Sequence, residues 1–435
     1  MTGPTTRPGV TAPLRLVAFR RLVAGRTLTQ LANTMAPVAL AFAVLDLSGS
    51  VIDLGLVVGA RSAAVVLLVL WGGLLADRLP KPVILQGASG AAALVQATIA
   101  ASLLLDVATL PLLVSLSVLN GAVAAVSMPA SASLTPRTVP TELLRAANAV
   151  ARMGVNGGMI AGASLGGSLA ATLGPGWGLA ANAVVFLCAA LAYHGLRLPP
   201  AASTGSAPTG GRVGPLRELR DGWTEFASRT WVWVVVAQFF VVNAVTSGGI
   251  QVLGPAIADD TFGRTAWGLV LATQLVGALV GGVLVARARL KHPLRVGVAV
   301  VALDALPLLA LAETAPLALL VVAMFVNGLA IEQFGVAWEV SLQENIPDDR
   351  LARVYSYDML GSLLALPLGE IAAGPLAEHF GARATLLGGV ALSVAVTAAA
   401  LCSSQVRALT AADGGIVAGE SDTSPKVAPS PETPG

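Results

Sequence analysis

Asn120–Gly174 reads NGAVAAVSMPASASLTPRTVPTELLRAANAVARMGVNGGMIAGASLGGSLAATLG, and Asn327–Gly381 reads NGLAIEQFGVAWEVSLQENIPDDRLARVYSYDMLGSLLALPLGEIAAGPLAEHFG. Laid over each other at a displacement of 207 positions (327 less 120), the two stretches keep the same punctuation. Asn120-Gly121 meets Asn327-Gly328, Val139-Pro140 meets Ile346-Pro347, and Leu144 meets Leu351. Gly154, Gly167 and Gly174 meet Gly361, Gly374 and Gly381, with no gap in between. A constant offset over so long a stretch implies two halves of one design, joined head to tail.

The surrounding composition says what kind of design. Of 435 residues, 55% are hydrophobic and only 11% are charged, where soluble domains carry roughly a quarter. About 20 apolar residues cross the hydrocarbon layer as a helix, and runs of that length follow one another here with short breaks. Apolarity without period-two alternation selects helices over a barrel. Twelve spans are expected, near 19–45, 51–76, 82–105, 109–134, 142–173 and 175–197, then 230–256, 265–287, 293–313, 315–342, 350–377 and 383–402. The fold is therefore all-α, with two six-helix bundles (19–198 and 229–403) related by a pseudo-twofold axis. Parallel repeats in a membrane are the build of a two-bundle transporter. A Pro/Gly/Ser/Arg-rich linker, 199–228, divides the halves and is expected to hold a short amphipathic helix at Leu216–Phe226. Residues 1–18 form a polar N-terminal segment without the apolar core of a cleaved signal, and 404–435 read as a disordered tail.

Lys and Arg set the orientation. Arg7, Arg15, Arg20 and Arg21 precede span one, Arg78 and Lys81 join spans two and three, and Arg137 and Arg145 join four and five. The central linker and the joints after spans eight and ten are also basic, whereas the alternate loops hold only Arg264 and Arg383. This asymmetry places both termini and the linker in the cytoplasm. The net charge of +2 thus reflects topology and gives no sign of nucleic acid. Cys188 and Cys402 fall in apolar spans of different halves and are expected to be small buried hydrophobes.

The loop after span two, Gly73-Leu74-Leu75-Ala76-Asp77-Arg78, resembles the G-x-L-a-D-R signature of the major facilitator superfamily. Its counterpart, Gly281 to Arg287, keeps the glycine and arginine but lacks the Asp. The resemblance covers about 19–402 and implies twelve helices as 6+6 repeats, with Gly73, Asp77 and Arg78 in a cytoplasmic conformational latch. Pro80 and Pro82 depart from the family pattern. Phe19-Arg20-Arg21-Leu22, Met128-Pro129-Ala130 and Ala147-Asn148-Ala149 are similar to the efflux branch that includes macrolide, tetracycline and enterobactin exporters. So is Gly162-Ala163-Ser164-Leu165-Gly166-Gly167, which resembles the helix-five exporter motif G-P-x-L-G-G with Ala163 in place of its proline. Glu332 to Glu339, Arg353 to Asp358, Pro367-Leu368-Gly369 and Gly374 to Ala377 resemble actinobacterial members of that branch.

Charges at bilayer depth cost about 2.5–3.5 kcal/mol, so each is a functional candidate. Glu332, Val336, Glu339 and Gln343 share one face of span ten, with the two carboxylates about 10 Å apart along the axis. A proton-coupled carrier uses such groups to bind and release its proton, although a structural ion pair would equally explain Glu332. Glu332 is the leading proton-coupling candidate, with Glu339 and Asp358 after it. Arg26, Arg61, Arg152 and Asp304 are also intramembrane, and buried opposite charges usually pair. Glu370, nearer the outer end of span eleven, reads as peripheral. The expected substrate cavity is lined by Gln30, Asn33, Arg61, Asn120, Arg152, Asn156, Gln238, Asn243, Trp338 and Tyr357, with Gln274 also polar at that depth. Interhelical hydrogen bonding is the competing explanation for the uncharged members.

No G-x-x-x-x-G-K-[ST] loop occurs, and His194, His292 and His379 lack metal-ligand spacing. Neither an enzymatic constellation nor a cofactor or metal is therefore expected, and the proton gradient would supply the energy. These readings converge on a monomeric, proton-coupled exporter of a small amphipathic compound, such as a drug, antibiotic or siderophore. It would sit in a bacterial cytoplasmic membrane, with a small molecule and the lipid bilayer as its partners. An importer or uniporter of a small metabolite, and a membrane receptor or assembly partner without transport, remain open alternatives.

Overall fold

The computed structural model describes residues 11–132, 134–196, 223–224, 226–287 and 292–409, and within these all side chains except those of 70–78, 129–132, 348–349 and 352–353. Most of the amphipathic helix expected at 216–226, the linker and the tail lie outside these residues.

Six long helices make the first half: α1 (Val17–Ser48), α2 (Val51–Arg78), α3 (Lys81–Leu104), α4 (Leu110–Ala132), α5 (Leu144–Thr172) and α6 (Pro175–Tyr193). Six make the second: α7 (Thr230–Asp260), α8 (Arg264–Val285), α9 (Pro293–Ala312), α10 (Leu317–Asn345), α11 (Asp348–Phe380) and α12 (Ala382–Cys402). Most are apolar around the whole circumference, as helices packed between other helices and lipid must be. Eleven are long and apolar enough to cross a membrane. The twelfth, α5, carries Arg145, Asn148, Arg152 and Asn156 in its first half and is rich in glycine and serine in its second. Two helices are irregular. In α7, Gly248–Leu253 winds as a π-helix, and α9 tightens to a 3₁₀ turn at Val301–Asp304.

The packing obeys the duplication. In the first bundle α1 lies on α5, α2 on α4, and α3 on α6; in the second, α7 lies on α11, α8 on α10, and α9 on α12. The bundles meet through α2–α11 and α5–α8, two contacts exchanged by the same pseudo-twofold operation. The repeated glycines occupy equivalent places in this scheme. A methyl at Gly121 would strike the Arg61 carbonyl of α2, and one at Gly328 the Gln274 carbonyl of α8. Gly154 faces Thr27 of α1, and Gly361 faces Val236 of α7. Gly167 meets Gly268 of α8, and Gly374 meets Ile52 of α2. Gly174 and Gly381 open α6 and α12 with φ of 90° and 85°, a left-handed backbone that only glycine adopts without strain.

Cys188 and Cys402 differ from expectation. Both are exposed on the outer surface of the helical body. Their helices are peripheral, and an apolar span does not distinguish a lipid-facing cysteine from a core one.

Candidate functional site: a crevice between the bundles

The helix ends on the side of the chain termini frame a crevice with two lobes. One, about 520 Å³, lies among α1, α2 and α4 and is edged by Leu363 and Leu366 of α11. The other, about 1040 Å³, lies between α5 on one wall and α8 and α10 on the other, reaching Pro136 and Arg287 at its mouth. Arg26 and Val155 belong to both lobes. The opposite end is sealed. There Gly167 and Gly268 bring α5 and α8 into backbone contact, while Gly55 and Gly374 do the same for α2 and α11.

Gln30, Asn33 and Arg61 line the smaller lobe, and Asn33 Nδ2 donates to Gln30 Oε1 at 3.2 Å. Arg61 Nε donates to Asn120 Oδ1 at 3.0 Å. Asn120 therefore holds Arg61 in place and borders a small adjoining pocket with Asn33. Arg152, Asn156 and Glu332 line the larger lobe. Arg26 donates to Thr135 Oγ1 at 3.2 Å. Among the described residues neither Arg152 nor Glu332 has an ion pair. Gly281 and Gly282 of α8 lie against the Glu332 side chain.

The other candidates lie elsewhere. Gln238 is buried inside the second bundle, where Nε2 donates to Thr397 Oγ1 at 3.0 Å and to the Val298 carbonyl at 3.4 Å. Its helix is apolar all round, so nothing in its sequence indicates which face the glutamine takes. Asn243 is half-buried on α7 and lines neither lobe. Trp338 is buried in an aromatic cluster, stacked near Phe334 and edge-on to Trp231, and its Nε1 donates to Asp358 Oδ2 at 3.1 Å. Tyr357 packs against Trp223 and Phe226. Trp338 thus packs within the second bundle and Tyr357 against residues of the linker, because large rings fill helix junctions as readily as cavities. Glu339 is exposed and accepts from Gln343 Nε2 at 3.2 Å. Of the three coupling candidates, then, only Glu332 borders the crevice.

Gly162 and Gly166 press α5 onto the Leu31 and Met35 carbonyls of α1, so the helix-five motif makes both an intra-bundle seam and, through Gly167, the inter-bundle seal. Gly73, Asp77 and Arg78 fall in the last turns of α2, where side chains lie outside the described set.

Two further charges, Glu370 and Asp304, lie buried with polar partners of their own. Glu370, expected at the periphery, is 4% exposed at the bundle interface. Ser247 Oγ of α7 donates to its Oε1 at 2.7 Å, and Arg61 of α2 is its electrostatic partner. A usable signal was present, since Glu370 sits one turn before the repeat glycine Gly374 and shares its face. Asp304 is 5% exposed and accepts from Asn327 Nδ2 at 2.8 Å, while Asn327 Oδ1 accepts from Gln274 Nε2 at 2.6 Å.

The Major Facilitator Superfamily profile matches residues 22–369. The chain belongs to that superfamily. It is 28% identical over 396 residues to the multidrug efflux pump Tap of Mycolicibacterium fortuitum, covering 86% of this chain and 91% of the pump. Among solved structures, the nucleoside transporter NupG superposes with a TM-score of 0.69 at 14% identity, over 88% of this chain and 98% of that one. A bacterial homologue of the iron transporter ferroportin, in its inward-facing state, gives 0.67 at 18% identity, over 89% and 99%. This superfamily member is thus a multi-pass transporter with the 6+6 fold.

Proposed function

We propose that the chain is a proton-coupled exporter of a small amphipathic compound, working by alternating access as a monomer in a bacterial cytoplasmic membrane with its termini inside. The carrying observation is the crevice, open on the termini side and closed on the other, with Glu332, which has no ion pair among the described residues, on its wall. The basic loops on the termini side support the orientation. Likeness to an efflux pump over nearly the whole chain supports the direction. In this reading Glu332 is the site that proton and substrate occupy in turn. Mutual exclusion at one group is what couples their opposite movements, because each ligand shifts the equilibrium only through its differential affinity. The proton gradient is the energy source, without a cofactor. The turns holding Gly73, Asp77 and Arg78 would form the inner latch when the crevice closes.

Everted vesicles energised to acidify their lumen provide the test. They should accumulate norfloxacin, and a protonophore should abolish the accumulation. Glu332→Gln should still bind the probe but lose the response to the pH gradient. Accumulation indifferent to the gradient would reject the reading.

A further inference from the structure

The charged side chains of the crevice are unevenly signed and unevenly satisfied. Among the described residues they are Arg26 of α1, Arg61 of α2, Arg152 of α5, Arg287 of α8 and Glu332 of α10. Arg61 is tied to Asn120, and among the described residues Arg26 has a hydroxyl partner, Thr135. Arg152 and Glu332 line the same lobe, on opposite bundles, and no salt bridge joins either to any described group. Arg152 is exposed and Glu332 half-buried on the crevice wall, so both charges are open to a ligand and no described side chain neutralises either. Two opposite charges held apart across a cavity of about 1040 Å³ are complementary to a ligand that carries both signs.

Resting on the export reading, we propose that the substrate is a zwitterionic amphiphile. Its anionic group would be taken by Arg152 with Arg26, its basic group by Glu332, and its apolar body would lie along the intervening wall of Val155, Met159, Leu275 and Val336. A guanidinium fork suits a carboxylate bidentately, and a carboxylate suits an ammonium. The charge pattern also fits the coupling. A purely anionic ligand would bind better once Glu332 carried a proton, which favours movement in the same direction. A basic group competes with that proton for the same oxygens, which favours exchange.

Three forms of one body separate these cases. Norfloxacin is zwitterionic at neutral pH, its ethyl ester keeps only the basic group, and its N-acetyl derivative keeps only the acid. Equilibrium binding to the full chain in nanodiscs, without any gradient, should favour norfloxacin over both blocked forms by about tenfold, one charge-assisted contact each. Arg152→Gln should bring norfloxacin down to the level of its ester, and Arg152→Lys should restore much of the difference while reporting that the variant is folded. Glu332→Gln should bring norfloxacin down to the level of the N-acetyl form. Equal binding of all three forms, binding of none, or a preference that survives both glutamine variants would overturn the proposal. Lost preference alongside intact gradient-driven accumulation rejects only the zwitterion. Retained preference without such accumulation rejects only the export reading.

Discussion

Arg264 Nη2 lies 2.5 Å from Asp46 Oδ1, so the first residue of α8 grips the last turn of α1 across the line between the bundles. The same guanidinium holds Asp259 at the end of α7, with Nε 2.7 Å from Oδ1, and it sits 5.0 Å above the Phe42 ring. In the sequence Arg264 was one of two basic residues on the acidic side. The structure gives it a task there, as a fork that ties three helix ends together on the closed face.

Arg264→Gln should therefore loosen that face. The pair is partly exposed, 19% and 45% at the two side chains, and pairs of this kind contribute at most about 1 kcal/mol. That is about a fivefold shift in population between closed and open outer faces. Spin labels at Val107 and Leu317, placed after replacing Cys188 and Cys402, should show a longer-distance component grow, more so at low salt. An unchanged distance distribution would leave Arg264 a local tie within the second bundle.

Gly167→Ala and Gly374→Ala should act alike, because the two residues are pseudo-twofold partners at the two inter-bundle seals. Each added methyl meets backbone, which cannot yield as a flexible side chain would. Overpacking of this kind costs about 1–3 kcal/mol, here charged to the outward-closed form. Both variants should lengthen the Val107–Leu317 distance and slow turnover. Gly90→Ala, where a methyl meets nothing within 4 Å, should change neither. If only one of the two partners responds, the seals are not equivalent.

Much of this architecture was legible because the duplication marks contacts directly. Gly121 and Gly328, and Gly167 and Gly374, recur in sequence because the same helix pairs approach at the same points. What the sequence withheld was azimuth. A helix apolar all round, such as α7, gives no period from which to tell whether Gln238 faces a crevice or a neighbouring helix. Depth misled at Glu370, which lies towards the outer end but on the face that meets α2. The aromatic residues Trp338 and Tyr357 could serve a ligand or a helix junction, and only their neighbours decide between the two.

Glu370 offers a sharper test of the interface. Among the described residues its Oε2 accepts no hydrogen bond, and Arg61, whose Nε is given to Asn120, acts on it electrostatically. No salt bridge joins the two, so removing Glu370 costs chiefly the buried Ser247 hydrogen bond, about 1–3 kcal/mol, with a longer-range charge contribution from Arg61. Glu370→Ala should lower the unfolding midpoint in detergent markedly, whereas Glu370→Ala with Arg61→Gln should recover part of the loss. A double-mutant cycle with no coupling would show that Arg61 and Glu370 act independently.

The two repeat asparagines should differ in worth despite their common origin. Asn120 Oδ1 accepts one bond, from Arg61 at the crevice wall, where water can replace it. Asn120→Ala should cost about 0.6 kcal/mol, the usual worth of an interhelical hydrogen bond in a membrane protein. Asn327 links Gln274 to Asp304, and its amide is the only donor to that buried carboxylate among the described residues. Asn327→Ala leaves a buried carboxyl group without that donor and should cost about 2 kcal/mol or more. Asp304→Leu in the Asn327→Ala background should restore part of that stability, because a near-isosteric apolar side chain leaves no buried polar group unpaired. Equal losses for the two alanine variants would mean that water already reaches Asp304 through the 3₁₀ turn of α9.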